Sequence, residues 1–286
     1  MLPFISQKNI CILYNSLAGA GRADIYAEKI KNELANRNIN FKLFKNKWPA
    51  SLDIYSDAFI VGGDGTMNHF VNQYAGIKLP LFIFNAGTGN DFHWMLYNGK
   101  TFEEQLEVAL GTALKPIDIG LCNGRYFING IGVGFEGEIV KSLTGKKKRP
   151  GKTSFLICIL KKIFTYRSAN YTIKTGTDVF TGKKLLVDIS NGSRAGGGFH
   201  IAPEAKADDG LFDIIIAESL SPIKRLFYLP VIEKGKHLQL SVIKHVRSNT
   251  VTVESDSMIQ YHMDGEYFEA KRIVIEMPSN KLYFRY

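Results

Sequence analysis

Two glycine-rich segments, each holding one aspartate, directly follow two short apolar runs, and this pattern constrains the fold most. Residues 62–66 (GGDGT) follow residues 57–61 (DAFIV), and residues 87–91 (GTGND) follow residues 79–85 (LPLFIFN). An uninterrupted apolar run of five to seven residues, bounded by turn residues, suits a strand buried on both faces. Residues 9–15 (NICILYN) make a similar run, residues 40–44 alternate, and residues 22–36 and 66–74 have the polar-faced pattern of helices. Strands separated by helices imply parallel pairing through right-handed crossovers. Ligands of such sheets sit outside the carboxyl ends of the strands. There the loops gather: 62–66, 87–91 and, after the first strand, 15–22 (NSLAGAGR).

The composition of these loops suggests phosphate chemistry. Glycine lets a phosphate approach the backbone closely, and the N-terminus of a following helix supplies N–H donors and a positive dipole end. Asp64 beside a phosphate makes sense when Mg²⁺ bridges carboxylate and phosphate oxygens. A glycine-rich turn with Asp64 as an N-cap is the alternative. Two such loops on consecutive parallel strands would face one crevice, which favours a nucleotide-phosphate site.

After about residue 120 the rhythm changes. Asn123-Gly124 separates IDIGLC from RYFINGIGV, a hairpin signal. The runs NYTIKT, KLLVDIS, GLFDIIIAE, NTVTVES, MIQYHM and RIVIEM follow as short strands, with helical interruptions near 152–166 and 221–230. The expected architecture is an α/β domain over residues 1–120, with a parallel sheet like that of NAD kinase and phosphofructokinase. A mostly antiparallel β-sandwich follows over 121–286, the last residues being open to return to the first domain.

Charge is concentrated rather than spread. The chain carries 36 Lys plus Arg against 27 Asp plus Glu, and nine of those bases lie between Lys141 and Arg167 without one acid. One basic block suits an anionic membrane surface or a phosphorylated ligand. It has no aromatic platforms or recognition motif for nucleic acid. Residues 145–153 (GKKKRPGKT) miss the phosphate-loop spacing by one residue. Residues 132–137 (GVGFEG) match GxGxxG, but lie in the β half without the acidic partner of a dinucleotide site; a tight strand-to-helix turn fits better. Cys11, Cys122 and Cys158, an odd and scattered set with apolar neighbours, suggest reduced buried thiols in a cytoplasmic protein. The N-terminus lacks signal-peptide features, and no apolar run approaches the roughly 20 residues of a membrane span.

GGDGTMN followed by GTGNDF resembles the soluble diacylglycerol kinase-like family, which includes bacterial lipid kinases and the sphingosine and ceramide kinases. Residues 129–136 (NGIGVGFE), 191–210 (NGSRAGGGFHIAPEAKADDG) and 263–266 (MDGE) continue that resemblance in family order over nearly the whole chain. It implies a lipid kinase that binds Mg²⁺ and ATP between two domains and phosphorylates a lipid hydroxyl, by default that of diacylglycerol. It implies that Asn15, Ser16, Gly62, Gly63, Asp64, Gly65, Thr66 and Asn68 line the ATP site, with Gly87 and Thr88 near the phosphates. Asp64 and Asp91 would organise Mg²⁺ and phosphates. Asp264 would be the general base, with Glu266 beside it. Asp209, with the carbonyls of Lys206 and Leu211, matches a structural Mg²⁺ site of bacterial members; a solvated acidic turn is the alternative.

Two departures stand out: Ser16 replaces the usual Pro after Asn15, and His69 replaces a Glu after Asn68. They keep open a non-catalytic nucleotide- or lipid-binding relative, and NAD kinase is the other alternative because it also uses GGDGT. The basic block and its helix suit peripheral association with an anionic membrane, with Thr153-Ser154 as the helix cap. The sequence leaves the oligomeric state, including a homodimer, open.

Overall fold

The computed structural model describes residues 8–144 and 152–286, with the side chains of 152–154 outside the description. Two compact units result, one from residues 1–117 with 281–286 and one from residues 118–280. In the first, six strands form a sheet: β1 (Asn9–Tyr14), β2 (Asn40–Lys45), β3 (Asp57–Gly62), β4 (Pro80–Asn85), β5 (Lys115–Asp118) and β15 (Lys281–Phe284). Their order is β2-β1-β3-β4-β15-β5, and β2-β1, β1-β3, β3-β4 and β4-β15 are parallel. The apolar runs fill the centre; Ile10 to Leu13, Ala58 to Val61 and Leu81 to Phe84 are all buried. Helices α1 (Arg22–Asn36), α2 (Asp64–Gln73), α3 (Asp91–Tyr97) and α4 (Phe102–Leu110) connect the strands. α1 buries Ala23, Ala27, Ile30 and Leu34, a stripe at helical spacing. α4 opens with a capping box between Thr101 and Glu104.

Helix α2 begins at Asp64, two residues earlier than the sequence alone suggests, and β3 ends at Gly62, so only Gly63 lies between them. Asp91 is likewise the first residue of its helix, α3. Both aspartates therefore stand in first helical turns, where the dipole favours negative charge.

The last strand ties the chain end to its beginning. Arg285 donates from Nε and Nη2 to Asp57 Oδ1 at 2.8 and 2.7 Å. Its backbone N donates to Leu81 O at 3.0 Å, and its carbonyl accepts from Tyr97 Oη at 2.9 Å.

The second unit holds β6 (Gly120–Cys122), β7 (Arg125–Phe127), β8 (Gly130–Gly134), β9 (Ala169–Thr175), β10 (Val179–Ser190), β11 (Phe212–Glu218), β12 (Ile243–Ser248), β13 (Thr250–Met263) and β14 (Glu266–Glu276). Neighbouring strands in this unit pair antiparallel. The long strands β10 and β13 each pair with β9 along one part and with β8 along another. Register shifts at Lys184/Leu186 and Glu254/Ile259 fall where they change partner, as bulges that bend a strand do. Around the resulting ring of pairings cluster Phe127, Ile131, Val133, Ile173, Val187 and Val253.

Several sequence expectations change here. IDIGLC is not one strand: Lys115–Asp118 joins the first sheet and Gly120–Cys122 the second. RYFINGIGV likewise breaks at Ile128 and Asn129, whose amides turn toward Asp264. NTVTVES and MIQYHM are one bulged strand, β13. The edge strand β12 (IKHVRS), half-exposed and rich in bases, carried too little apolar signal to be read. The Asn123-Gly124 hairpin is present, with φ of 47° and 83° at the two turn residues.

Helices α5 (Phe135–Leu143), α6 (Lys152–Thr165) and α7 (Pro222–Glu233) complete the second unit. The GxGxxG segment is the strand-to-helix turn from β8 to α5. A Cβ on Gly132 would fall 2.1 Å from Glu136 Oε2, and one on Gly137 would fall 2.2 Å from Gln260 O. Those glycines answer to packing. α6 starts at Lys152, so Thr153-Ser154 lie inside its first turn rather than capping it. The remainder of the near-phosphate loop, with Lys146, Lys147, Lys148 and Arg149, lies outside the described residues. Among the described residues no helix is long and apolar enough to cross a membrane. Cys11 and Cys122 are buried and their thiols pushed up to about 12 by that burial, while Cys158 is half-buried rather than buried.

Asp57 is 1% exposed, so removing its principal cation leaves a buried carboxylate. Arg285→Met should therefore destabilise the first unit by about 3–5 kcal/mol. Thermal unfolding checks this; an unchanged midpoint would mean that Lys8, 3.3 Å from Asp57, suffices.

Candidate active site

The three glycine loops meet at the carboxyl ends of β1, β3 and β4. Gly63 and Gly87 touch backbone to backbone: a Cβ on Gly63 would fall 2.6 Å from Gly87 Cα, and one on Gly87 would fall 2.3 Å from Gly63 Cα. Ala86 N donates to Gly62 O at 2.9 Å across the same seam. The first loop closes from the other side. A Cβ on Gly19 would meet Ala86 O at 1.7 Å, and Arg22 bridges the loops by donating to Gly19 O at 3.2 Å and to Gly87 O. Ala20, at φ 57°, holds a left-handed conformation that costs an L residue energy and that glycine neighbours make reachable.

Asp64 is the clasp between the second and third loops. From the first turn of α2 its Oδ2 accepts from Asp91 N at 3.2 Å and its Oδ1 from Phe92 N at 3.1 Å. It thereby caps α3, whose own N-cap residue Asn90 gives no side-chain cap and sits at φ 57°. Asn90 Nδ2 instead donates to Gly87 O at 2.9 Å. Burial pushes the Asp64 carboxyl up, against the backbone N–H groups of Phe92, Asp91 and Asn90, which favour its anion. Gly89 lies between the two carboxylates: its Cβ position is 3.1 Å from Asp64 Oδ2 and 3.9 Å from Asp91 Oδ2.

Of the glycines in GGDG, Gly62 and Gly63 are filled in by neighbours. Gly65 is not, because nothing lies within 4 Å of the Cβ position there. Packing within the protein gives no reason for glycine at 65. The space over the first turn of α2 suits a group that approaches the backbone from outside. Thr88 is exposed at the tip of its loop, Thr66 lies half-buried against Gly62, and Asn68 is buried in α2. Asn15 folds onto its own loop, its Oδ1 accepting from Leu17 N at 2.9 Å.

The two departures have structural partners. Ser16 N and Oγ both donate to Asn46 Oδ1, at 2.9 and 3.1 Å, which fastens the first loop where a proline would have stiffened it. His69 is exposed against Trp48, ring centroids 4.9 Å apart. Arg22, Asn46 and Asn90 were not read from the sequence as site residues. The signal available was local for Asn90, which follows glycine in a helix-start position, and absent for the other two, whose partners are distant in sequence.

In the second unit Asp264 is the first central residue of the β13–β14 turn, at φ 48°, followed by Gly265 at 81°. Its carboxylate sits in a backbone nest: Oδ2 accepts from Ile128 N at 2.9 Å, and Oδ1 from Asn129 N and Gly130 N at 2.9 and 3.0 Å. Its own N donates to Gly130 O at 3.0 Å. Glu266 goes elsewhere. It is exposed and pairs with Arg125 Nη2 at 2.7 Å. Asp209 pairs with Arg247, and its Oδ1 accepts from Leu211 N at 3.1 Å. The DDG turn is anchored by Asp118, whose Oδ2 accepts from Gly210 N at 2.8 Å and whose N donates to Ala207 O at 2.7 Å. Among the described residues no group of three or more His, Cys, Asp or Glu could hold a metal ion.

Comparison with known proteins gives this geometry a context. The diacylglycerol kinase catalytic domain matches residues 9–122, and the YegS C-terminal NAD kinase beta sandwich-like domain matches residues 129–280. Diacylglycerol kinase of Mycobacterium tuberculosis is 31% identical over 222 residues, 74% of this chain and 71% of that protein. Diacylglycerol kinase of Bacillus subtilis is 29% identical over 224 residues, 76% and 73% of the two. Among solved structures, a diacylglycerol kinase from Bacillus anthracis has TM-score 0.73 at 21% identity, covering 98% of this chain and 97% of that one. An NAD kinase from Archaeoglobus fulgidus, solved in complex with ATP, has the related fold at TM-score 0.56 and 14% identity, covering 97% and 93%. The chain belongs to the diacylglycerol kinase-like family of lipid kinases.

Proposed function

We propose that this protein transfers the γ-phosphoryl group of ATP to the hydroxyl of a membrane lipid, diacylglycerol first among them, giving phosphatidic acid. The observation that carries the nucleotide part is the uncovered Gly65 at the start of α2, beside the Gly63–Gly87 contact. Open backbone at a helix N-terminus suits phosphate oxygens. Asp64 and Asp91 flank Gly89 and fit a Mg²⁺ ion, which takes one or two carboxylates and completes its shell with phosphate oxygens and water. Mg²⁺ bound there would neutralise the charge of the transferring group. At the Asp209 turn the fit is poorer, because Arg247 already occupies that carboxylate.

In the proposed reaction Asp264 accepts the proton of the lipid hydroxyl. The lipid oxygen bonds to the γ-phosphorus as the bond from that phosphorus to the β–γ bridging oxygen breaks, and ADP leaves. Three backbone amides fix the Asp264 carboxylate in one orientation. Phosphoryl transfer depends chiefly on such positioning and on charge neutralisation. Glu266, bound to Arg125, contributes charge at the same turn.

Membrane association is part of the proposal. α6 exposes Ile157 and Phe164, and α7 exposes Ile223 and Phe227 at i, i+4 spacing, with fractional exposures of 63, 61, 78 and 72%. Lys161 and Lys224 on those helices are exposed as well. Apolar side chains flanked by bases suit the interface of an anionic bilayer, each base near the surface contributing about 1 kcal/mol.

Incubation with γ-labelled ATP, Mg²⁺ and separate lipids, with NAD as a further acceptor, tests the activity; labelled phosphatidic acid is expected, and labelled NADP would overturn it. Gly65→Val should weaken ATP binding at least tenfold while shifting the unfolding midpoint little, since nothing packs on that site; calorimetry with ATP measures this. Asp264→Asn should lower transfer by roughly 10²–10⁴-fold, to a residual rate readable in single turnover, and leave ATP affinity unchanged. Phe164→Ser with Phe227→Ser should lower turnover on anionic vesicles much more than on dispersed short-chain lipid, and equal losses would remove the membrane role of those helices.

A further inference from the structure

We propose that Asn191 is a positioning residue for Asp264, acting through the peptide units that donate to the Asp264 carboxylate; the proposal rests on the reading of Asp264 as the base. Two Asn-Gly pairs frame the site. Asn129-Gly130 leads into β8 and Asn191-Gly192 leaves β10, and the two strands are antiparallel neighbours with Ser190 opposite Gly130. Asn191 has no exposed surface, and its amide nitrogen donates to Ile128 O and to Asp118 O, both at 2.8 Å. Its backbone N and that of Gly192 both donate to Asn129 O at 2.9 Å.

These bonds fall on the same peptide units that hold Asp264. The unit between Ile128 and Asn129 accepts from Asn191 Nδ2 on its carbonyl and donates its N–H to Asp264 Oδ1 at 2.9 Å. The unit between Asn129 and Gly130 accepts from the amides of residues 191 and 192 and donates its N–H to Asp264 Oδ1 at 3.0 Å. A planar peptide unit cannot turn its N–H without turning its carbonyl. Pinning the carbonyls therefore aims the two N–H groups, and these aim the base. Gly192 has a matching reason to be glycine: a Cβ there would fall 2.1 Å from Asn129 Oδ1. Asn129 completes the clasp by donating from Nδ2 to Arg194 O at 2.7 Å.

An amide suits position 191, because both partners are carbonyl oxygens and its NH₂ group supplies two donors from one nitrogen. Asn191→Asp keeps the shape and removes both donors. Misplacing a reacting group by about 1 Å can cost 10²-fold in rate. Asn191→Asp should therefore lower kcat on the lipid by roughly 10²-fold with ATP affinity and KM for ATP unchanged. Gly192→Ala, which displaces Asn129 from the other side, should lower kcat in the same sense, and it stands in if Asn191→Asp does not fold.

The deciding measurement is the double variant with Asp264→Asn, read by single-turnover transfer of label. If Asn191 acts through Asp264, Asn191→Asp costs nothing further once Asp264 is replaced; an equal fractional loss in both backgrounds would make its role structural only and overturn the proposal. Wild-type kcat for both Asn191→Asp and Gly192→Ala, with Asp264→Asn strongly impaired, would overturn it while leaving the Asp264 reading intact. Turnover by Asp264→Asn near the wild-type rate would overturn the Asp264 reading itself, and this proposal with it.

Discussion

Asp64 reaches from the first turn of α2 to the amides that open α3, and the crowding at the end of the first sheet follows from that reach. With the two helix starts joined, the loops that precede them have to cross where their strands are neighbours. Only residues without side chains can do so, and Gly63 and Gly87 meet backbone to backbone. Arg22 then brings the first loop against the same seam. A carboxylate, two glycines and one guanidinium thus shape a single sheet edge.

The second unit uses the same device with a different purpose. Asp264, like Asp64, is held by backbone N–H groups. An N–H donor supplies hydrogen-bond stabilisation without a mobile, formally charged chain, and it is positioned by the fold before any ligand arrives. The buried ion pair of Arg285 and Asp57 shows the contrast: there a permanent structural join is made by a rigid guanidinium fork.

Glycine stands in three distinct settings in this chain. Gly132, Gly137 and Gly192 admit a neighbour that a Cβ would strike. Gly124 and Gly265 supply the left-handed second position of hairpin turns. Gly65 does neither: nothing lies within 4 Å of its Cβ position and its backbone is helical. The sequence shows all of them as the same letter. Their neighbours come from strands as far away as β13, which no local window contains.

In the first half the strands β1, β3 and β4 and the helix α1 were legible, whereas α3, α4 and β5 were not. The apolar runs 10–13, 58–61 and 81–84, bounded by turn residues, suit buried strands, and α1 carries its stripe in its own spacing. The Asn123-Gly124 and Asp264-Gly265 turns were legible too, since a left-handed pair of residues leaves a local signature. The motif blocks placed Asp64, Asp91 and Asp264 among the candidates. Tertiary structure alone decided what holds them. Asp264 draws its N–H donors from residues more than 130 positions earlier, and Asp57 and Arg285 are 228 apart. It also decided that one apolar run, IDIGLC, serves two sheets, and that Glu266 pairs with Arg125. Local patterns record how a segment buries its own side chains, whereas hydrogen bonds between distant backbone groups leave no imprint on either segment's composition.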